Sequence, residues 1–248
     1  MICITGATSG IGLATAESFA KKGKDLLLLG RNSDKLYNLK NKFVEKYSID
    51  IQILLIDFTE PALINNLFKQ NRDVFSKVEC LINNAGLARG LAPTYSLESS
   101  SIHEMIQVNL VSVIELCKNM APIMVENKNG HIINVGSIAG HYVYPNGNVY
   151  CATKHAVRAM TEGLRFDLNG TGIRVSEISP GMVNTNFSTV RLGDKVKADA
   201  VYSGMTPLTA EDVAESIYWI YSQPKHVNIQ EIVIYPTDQA SATVVHRI

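Results

Sequence analysis

The sequence predicts a single α/β domain in which helices cover both faces of a parallel sheet. Three observations support this prediction: seven short apolar runs spread over 248 residues, amphipathic stretches between them, and no linker or internal repeat that divides the chain. Such alternation favours right-handed strand–helix–strand units, whose strands lie parallel. A chain of this length buries a sizeable core. We therefore assign residues 1–248 to one domain.

The seven apolar runs are the candidate strands. They are rich in Ile, Leu and Val, and turn-forming residues bound them. Short continuous apolar runs are typical of strands that are buried on both faces of a sheet. The predicted strands cover residues 1–5, 25–29, 51–56, 80–83, 131–136, 174–178 and 232–235.

Apolar residues recur at helical spacing between these runs. The predicted helices cover residues 11–22, 33–47, 61–71, 100–126, 149–168 and 210–222. An insertion at residues 182–205 interrupts the alternation and contains several polar and charged residues. Insertions of this length in a compact domain are often lids or binding loops. We expect this one to cover a substrate.

The composition excludes several classes of protein. Hydrophobic residues make up 46% of the chain, charged residues 19%, and the formal net charge is +0, which gives no reason to expect a nucleic-acid or anionic-membrane partner. The four scattered cysteines predict free thiols in a reducing cytoplasm, and the six histidines show no metal-binding spacing, so we expect no metal. Because a strand begins the chain, we expect no signal peptide, and the apolar runs are too short to span a bilayer.

A glycine-rich turn joins the first strand to the first helix. Gly6, Gly10 and Gly12 have the spacing GxxxGxG, and Thr8, Ser9 and Ile11 lie among them. Glycines let the turn close tightly and let backbone amides approach a phosphate, which the helix dipole also favours. Alone, this stretch would equally suit a simple turn. Its position after a strand favours a dinucleotide site.

The end of the second strand predicts the type of dinucleotide. A carboxylate usually stands here in NAD-specific sites, whereas this chain has Gly30, Arg31 and Asn32. The Arg31 guanidinium can bind a 2′-phosphate through two hydrogen bonds, although a solvated surface arginine is the alternative. The absent carboxylate favours NADP(H).

Two further strand ends carry candidate cofactor residues. Asp57 and Phe58 follow the third strand, where Asp57 either accepts a bond from adenine or caps the next helix. Asn84, Ala85 and Gly86 follow the fourth strand, where small polar residues allow a ribose to approach.

Tyr150 and Lys154 are one helical turn apart, so their side chains project from the same face. A phenol loses its proton near pH 10, and a neighbouring cation stabilises the phenolate. Ser137 lies upstream at a strand end, and Asn109 lies in a predicted helix. Each residue alone would suit a surface pair, a turn or a polar helix position. Together with the glycine turn they predict redox chemistry on an alcohol or carbonyl.

With these motifs the chain resembles the short-chain dehydrogenase/reductase family over essentially its whole length. The resemblance implies a seven-stranded Rossmann sheet, hydride transfer and a homotetramer assembled through the helices 100–126 and 149–168 and the segment after Ile232. It also implies roles for single residues. Tyr150 is then the acid/base, Ser137 holds the substrate oxygen, and Lys154 binds the nicotinamide ribose and lowers the phenol's pKa. Asn109 supports a water, while the nicotinamide is positioned by Pro180, Gly181, Val183 and Thr185.

A closer resemblance points to the NADP-dependent 3-hydroxy acid dehydrogenases, the branch that oxidises serine and L-allo-threonine. It rests on residues 83–88, 130–134, 147–150, 187–191 and 226–229. It implies a small substrate with a 3-hydroxyl and a carboxylate, such as L-serine, L-allo-threonine, 3-hydroxyisobutyrate or 3-hydroxypropionate. In reverse, the same site would reduce the corresponding semialdehydes or ketones.

A carboxylate substrate needs a cation with paired donors. Arg191 in the insertion is the first candidate and Arg89 the alternative, each of which would otherwise be a solvent-exposed arginine. We expect His141, Asn146 and Met182 to line the same pocket. Two other functions share most of these features: a reductase for larger ketones such as 3-oxoacyl chains, and a non-catalytic NADP(H)-binding regulator.

Overall fold

A computed structural model describes all residues, 1–248, and contains one seven-stranded parallel sheet. All seven predicted strands and the predicted fold class are confirmed. The strand order is β3-β2-β1-β4-β5-β6-β7. The strands are β1 Ile2–Thr5, β2 Leu26–Gly30, β3 Ile51–Leu55, β4 Cys80–Asn83, β5 His131–Val135, β6 Arg174–Pro180 and β7 Glu231–Ile234.

Ten α-helices surround the sheet. They are α1 Gly10–Lys21, α2 Ser33–Tyr47, α3 Ala62–Gln70, α4 Arg72–Phe75, α5 Ser99–Ile106, α6 Ser112–Glu126, α7 Asn148–Asp167, α8 Phe187–Leu192, α9 Lys195–Ala200 and α10 Ala210–Ser222. Short 3₁₀ turns cover Thr94–Ser96 and Ile138–Gly140. The six predicted helices are all present, although one of them is divided.

Two separate apolar cores lie on the two faces of the sheet. Consecutive residues of a buried strand point to opposite faces, so Ile2 and Ile4 join one core and Cys3 joins the other. The first core includes Phe19 of α1 and Ile217 of α10, and the second lies against α3, α6 and the end of α7. Each fully buried apolar side chain contributes roughly 1.5–3 kcal/mol. Both faces are therefore covered, as the continuous apolar strands predict.

The strand order reverses between β1 and β4, because β2 and β3 lie on one side of β1 and the later strands on the other. In open parallel sheets, ligands bind at such a reversal, outside the carboxyl ends of the strands. The register places Thr5 beside Leu29 and Asn83 beside Asn134, so four strands end at the same edge. This edge carries most of the predicted site residues.

The predicted helix 100–126 is interrupted by a π-helical segment, Gln107–Val111, between α5 and α6. The predicted long helix is present as Ser99–Glu126, and the π-helical turn within it is a feature that the apolar spacing does not show. A π turn inserts one extra residue into a helix and often marks a functional position. Here it contains Asn109, one of the predicted catalytic residues.

The insertion at residues 182–205 is more ordered than a loop, because it forms α8 and α9. Gly193 joins the two helices at a φ of 64°, a left-handed conformation that suits glycine. The Asp194 carboxylate caps α9 by accepting hydrogen bonds from the amides of Val196 and Lys197. A further hydrogen bond holds the insertion, because the Ile248 amide donates to the Gly204 carbonyl at 2.9 Å.

The helical stretch Ser99–Glu126 is long and apolar enough to cross a membrane, judged by length and composition alone. Its mean hydropathy is 1.4 over the most apolar window, and 56% of that window is buried inside the domain. The core helix of a soluble protein has the same properties. This stretch is therefore weak evidence for a membrane span.

His131, the first residue of β5, predicts a loss of stability in acid. Burial lowers the pKa of its imidazole to about 3, with the Arg174 guanidinium adding to the effect. The unfolded chain, with an ordinary pKa of 6.5, takes up this proton first, so stability falls as the pH falls from 6.5 towards 3. We expect this residue to cost about 2 kcal/mol between pH 7.5 and pH 5.

The measurement is urea denaturation at the two pH values for the wild type and His131→Gln. Gln retains a polar group that can bond to the Ser176 hydroxyl, which lies 2.8 Å from the His131 Nε2. The variant should lose less stability on acidification. An equal loss in both proteins would contradict the assignment.

Candidate active site

A cleft of about 760 Å³ opens at the carboxyl edge of the sheet, where the strand order reverses. The structure brings together there most of the residues that the sequence singled out. From the predicted set, the cleft is lined by Gly6, Thr8, Ser9, Gly10, Ile11, Arg31, Asn32, Asp57, Phe58, Asn84, Ala85, Gly86, Arg89, Ser137, Tyr150, Lys154, Pro180, Gly181, Met182, Val183, Thr185 and Arg191. Gly12, Asn109, His141 and Asn146 do not line it.

The glycine turn forms one end of the cleft. Gly6 and Gly10 have φ values of 68° and 53°, which side chains rarely tolerate. Although Gly12 does not face the cleft, a Cβ there would overlap the Gly6 carbonyl and the Asn84 amide. Ser9 precedes α1 in an extended conformation, and its side chain does not cap the helix. The first amides of α1 are therefore free to bind an anion, as a pyrophosphate requires.

Asn84 ties the glycine turn to the end of β4. Its side-chain amide donates to the Thr5 carbonyl at 2.9 Å, and its backbone amide donates to the Thr5 hydroxyl at 3.0 Å. The Ala85 amide bonds to the same hydroxyl at 2.9 Å. The segment after β4 is therefore fixed against the turn, and the Asn84 side chain acts within the protein.

Arg31 and Asp57 face each other at the mouth of the cleft. Arg31 Nη1 lies 3.5 Å from Asp57 Oδ2, and the Arg31 side chain is 64% exposed. The other Asp57 oxygen accepts bonds from the Thr59 amide and hydroxyl, and the amide bond is the main reason that the pKa of this carboxyl is lowered. The helix-capping alternative for Asp57 is wrong, because α3 begins at Ala62 after Pro61.

Asn32 lines the same part of the cleft, but its side chain is engaged elsewhere. Its Oδ1 accepts a hydrogen bond from the Lys35 amide at 2.9 Å and caps α2. The Asn32 amide group therefore helps to begin a helix, and Arg31 is the exposed cation next to it.

Ser137, Tyr150 and Lys154 meet on the floor of the cleft. Tyr150 and Lys154 lie one turn apart on α7, and Ser137 follows β5. Lys154 Nζ is 6.0 Å from the centre of the Tyr150 ring and donates to the Val135 carbonyl at 2.8 Å. The Ser137 hydroxyl accepts from the Ala139 amide at 3.1 Å, which leaves its proton free to donate.

Burial dominates the acidity of this pair. It lowers the pKa of the Lys154 ammonium to about 8, against the opposing effect of the Glu177 carboxylate. Burial also raises the pKa of the Tyr150 phenol above its ordinary value, and the Ser137 hydroxyl and the Arg191 guanidinium offset only part of that rise. The lowering of the phenol's pKa by Lys154, which the family resemblance implies, stays a prediction.

Asn109 lies beneath the floor and is 1% exposed. Its amide nitrogen donates to the Leu87 carbonyl at 2.7 Å and to the Thr153 hydroxyl at 3.2 Å, while its oxygen accepts from the Leu87 amide at 2.8 Å. The side chain therefore holds the segment after β4 against α7. Its hydrogen-bonding groups are used within the protein and are not aimed at the cleft.

The segment after β6 forms the opposite wall. The Gly181 amide donates to the Ile234 carbonyl at 2.8 Å, and the Met182 amide donates to the Gln239 side chain at 2.8 Å. A Cβ on Gly10 would lie 3.3 Å from the Thr185 Cβ, so this wall faces the glycine turn across a narrow gap. The cleft thus has two closely spaced walls that suit a flat, extended ligand.

Arg191 reaches from α8 to the floor of the cleft. Its Nε donates to the Gly90 carbonyl at 3.0 Å, and Nη1 donates to the Tyr144 hydroxyl at 2.9 Å. Its guanidinium carbon lies 5.7 Å from the centre of the Tyr150 ring. The insertion therefore delivers a positive charge next to the phenol. Arg89 differs, because Glu104 binds its guanidinium through two bonds of 2.6 and 2.8 Å.

Two predicted pocket residues lie elsewhere. His141 packs behind the floor, with its Nε2 2.5 Å from Glu231 Oε1. Asn146 is exposed in a turn at a φ of 64°, a conformation that asparagine tolerates. Both assignments are corrected. The two residues differ from Tyr144 and Pro145, which lie between them and line the cleft, because the His141 ring pairs with Glu231 and Asn146 lies in the exposed turn.

Sequence reasoning missed three residues of this region. Tyr144 holds Arg191, Phe187 lies 5.6 Å from the Tyr150 ring between ring centres, and Glu104 neutralises Arg89. An aromatic residue six positions before Tyr150 carries no motif. Only the fold shows that it meets an arginine 47 residues away.

A glycine turn suited to a phosphate, in one cleft with Ser137, Tyr150 and Lys154, is typical of a dinucleotide-dependent oxidoreductase that acts on alcohol or carbonyl groups. The sequence pattern of the short chain dehydrogenase family matches residues 1–195, and the chain belongs to this family. The predicted enzyme class is confirmed.

Individual relatives cover almost the whole chain. Serine 3-dehydrogenase of Agrobacterium fabrum is 40% identical over 243 residues, which are 97% of this chain and 95% of that protein. Sulfoacetaldehyde reductase 2 of Chromohalobacter salexigens is 38% identical over 242 residues, with the same coverage. The closed form of a serine dehydrogenase complexed with NADP⁺ superimposes with a TM-score of 0.92, at 37% identity and with 100% and 99% of the two chains covered. The predicted resemblance to the serine and 3-hydroxy acid branch is confirmed.

Proposed function

We propose that this protein is an NADP(H)-dependent oxidoreductase that oxidises the 3-hydroxyl of small 3-hydroxy acids and reduces the corresponding semialdehydes or ketones. The observation that carries this proposal is the position of Arg191, whose guanidinium lies beside the Tyr150 ring. A cation next to the reacting group suits a substrate that carries an anion a few atoms from its hydroxyl.

The residues of the cleft fit NADP(H). The free amides at the start of α1 suit the pyrophosphate, and the turn is narrow enough to require glycine at positions 6, 10 and 12. Gly30 stands where NAD-specific sites place a carboxylate, and Arg31 follows it with a cation that suits a 2′-phosphate. A serine dehydrogenase of the same fold is known in complex with NADP⁺. Pro180, Gly181, Val183 and Thr185 line the cleft, and the family resemblance implies that they position the nicotinamide.

Each side chain on the floor of the cleft then has its own role in the reaction. Ser137 donates its free proton to the substrate oxygen and orients it, and Tyr150 takes the hydroxyl proton during oxidation or returns it during reduction. Lys154, which is held by the Val135 carbonyl, places its charge beside the phenol. The bound nicotinamide supplies the hydride acceptor or donor. Asn109 acts as a positioning residue through Leu87 and Thr153.

Arg191 is the proposed ligand of the substrate carboxylate. Two of its three nitrogens already hold Gly90 and Tyr144, so the group is fixed in place and Nη2 remains for a substrate. Arg89 is the weaker candidate, because the Glu104 carboxylate already occupies its donors. Met182 lines the same cleft.

A sulfonate is the second anion to consider, since one relative is a sulfoacetaldehyde reductase. A guanidinium binds a sulfonate and a carboxylate through the same N–H groups. The same site would then reduce a small sulfonated aldehyde. Initial rates with both kinds of substrate separate the two anions.

The experiment measures initial rates of NADP⁺ and NAD⁺ reduction. The substrates are L-serine, L-allo-threonine, 3-hydroxyisobutyrate, 3-hydroxypropionate, 2-hydroxyethanesulfonate and neutral secondary alcohols. We expect turnover with NADP⁺ and the 3-hydroxy acids. Turnover confined to the sulfonate would favour the second anion, and turnover confined to neutral alcohols would refute an anion site. Activity only in the reverse assay, as NADPH oxidation with 3-oxoacyl chains, would favour a reductase of larger ketones, and NADP(H) binding without turnover in either direction would favour a non-catalytic regulator.

Arg31→Asp is expected to shift the cofactor preference from NADP⁺ towards NAD⁺. The change removes a cation that can bind a 2′-phosphate and adds a carboxylate that can accept from a 2′-hydroxyl. Charge-assisted hydrogen bonds contribute about 1.5–3 kcal/mol, so the ratio of kcat/KM for the two cofactors should fall by about 10- to 150-fold. Lys42→Asp, an exposed change on the helix that follows, is the control and should leave the ratio unchanged. An unchanged ratio in Arg31→Asp would contradict the assignment.

We also propose a cytoplasmic homotetramer. The outer faces of α6, α7 and β7 carry exposed apolar residues, among them Ile114, Phe166 and Val233. These faces include the helices that the family resemblance implies for assembly. Light scattering coupled to size-exclusion chromatography should give four chains, and a monomer would contradict this proposal.

A further inference from the structure

A cluster of three metal-ligating side chains lies behind the active-site floor. His141 follows the 3₁₀ turn Ile138–Gly140, Glu177 lies within β6, and Glu231 begins β7. One ligand atom from each of them lies within 4.8 Å of the other two. We propose that His141, Glu177 and Glu231 bind one divalent transition-metal ion of the Zn²⁺ type. This inference does not depend on the proposed function.

The donor set suits such an ion. One imidazole nitrogen with two carboxylate oxygens is a combination that Zn²⁺ accepts, with water in the fourth position. Zinc–ligand bonds of about 2.0–2.2 Å place tetrahedral donors about 3.4 Å apart. The present separations include 2.5 Å between His141 Nε2 and Glu231 Oε1, and none exceeds 4.8 Å. Small side-chain rotations would therefore suffice to surround an ion.

A second observation also points to a ligand. Glu177 is 2% exposed, and only one of its oxygens is satisfied, by the Ser179 hydroxyl at 2.9 Å. The other oxygen, Oε2, is buried without a hydrogen-bond partner. His141 Nε2 is also buried, and its neighbour is Glu231 Oε1 at 2.5 Å. A buried polar atom normally has a partner, so the Glu177 Oε2 atom needs an explanation. A bound cation supplies one.

The surrounding charges leave room for a cation. Arg158 Nε lies 3.7 Å from Glu231 Oε1, and its side chain is 47% exposed, so it can move into solvent. Lys154 faces Glu177 from the active-site side but donates to the Val135 carbonyl. A small cavity of about 20 Å³ is lined by both carboxylate residues and by Arg158 and Arg165, and it has room for about one water molecule.

The site would connect the turn after β5, which begins at Ser137, to β6 and β7. Gly136 follows β5, and a Cβ at this position would overlap Glu177 Oε1. The Ser137 hydroxyl begins the turn that His141 ends. A metal bound by His141 would fix this turn to β6 and β7, so we expect the ion to stabilise the fold.

Calorimetric titration of the purified full chain with Zn²⁺ tests the proposal. We expect one ion per chain, at least tenfold weaker binding in His141→Gln and in Glu231→Gln, and a rise in melting temperature with Zn²⁺ that these two variants lack. Glu162→Gln is the matched control, because this exposed carboxylate lines the same small cavity but lies outside the cluster. It should bind as the wild type does.

Crystals of the wild type soaked in Zn²⁺ give an answer that does not require a variant to fold. An anomalous-difference peak between the three side chains is the expected result. A peak only at other residues, no binding in solution, or binding that His141→Gln and Glu231→Gln leave unchanged would overturn the proposal.

Discussion

Replacing Tyr150 with Phe is expected to lower kcat by about 10²- to 10⁴-fold, the usual contribution of a positioned acid or base. The change removes one hydroxyl and keeps the ring that packs against Phe187. The fold and the cofactor cleft should therefore remain intact. The measurement combines steady-state rates with titration of NADP⁺ binding, which we expect to be unchanged within about twofold.

Tyr142→Phe is the matched control for this variant. Tyr142 lies in the turn region before α7, is 49% exposed, and does not line the cleft. It should retain wild-type rates. Substantial turnover in Tyr150→Phe would show that another group moves the proton, and loss of NADP⁺ binding would show that the change had damaged the cleft.

Replacing Arg191 with Ala is expected to raise KM for carboxylate substrates by about 10- to 150-fold, the equivalent of a lost charge-assisted bond of about 1.5–3 kcal/mol. The KM for a neutral alcohol should change much less, because that substrate makes no ion pair. Initial rates with 3-hydroxypropionate and with a neutral secondary alcohol provide the comparison. Arg191→Lys should recover part of the affinity, since it retains the charge but not the paired N–H groups.

Arg89→Ala is the control for Arg191→Ala. Arg89 is bound by Glu104, so its loss should affect acids and neutral alcohols alike. Equal effects of Arg191→Ala on both substrates would remove Arg191 from the anion site. A selective effect of Arg89→Ala would reverse the assignment.

Much of the fold can be predicted from the sequence because the strands are buried on both faces. A continuous apolar run such as Leu26–Gly30 has few ways to fold, and the seven runs lie where the seven strands are observed. The cofactor end is similarly local. Gly6, Gly10 and Gly12 belong to one turn, so their spacing alone indicates the backbone that the site needs.

The remaining details depend on contacts between distant residues. Nothing near Arg89 in the sequence shows that Glu104 binds it, and nothing near Arg191 shows that Tyr144 holds it. The proposed metal site could not be predicted from the sequence for the same reason, because His141, Glu177 and Glu231 are too far apart in the chain to form a recognisable motif. The π turn at Asn109 also depends on tertiary structure, since its side chain bonds to Leu87 on another element.

The acidity of the floor is another property that spacing alone predicts poorly. Tyr150 and Lys154 are one turn apart, as predicted, but their burial moves both pKa values against the charged forms. The short distance between a cation and a phenol is therefore not sufficient to predict the pKa of the phenol. The dielectric environment, which the sequence does not show, has the larger effect.

The most direct test of the central claim compares 3-hydroxypropionate with its neutral amide, 3-hydroxypropanamide, as substrates for NADP⁺ reduction. The two molecules share the carbon skeleton and the hydroxyl and differ in the group that Arg191 would bind. We expect kcat/KM to be at least about tenfold higher for the acid, with most of the difference in KM. Equal values, or a preference for the amide, would contradict the claim that this cleft selects a small anionic alcohol.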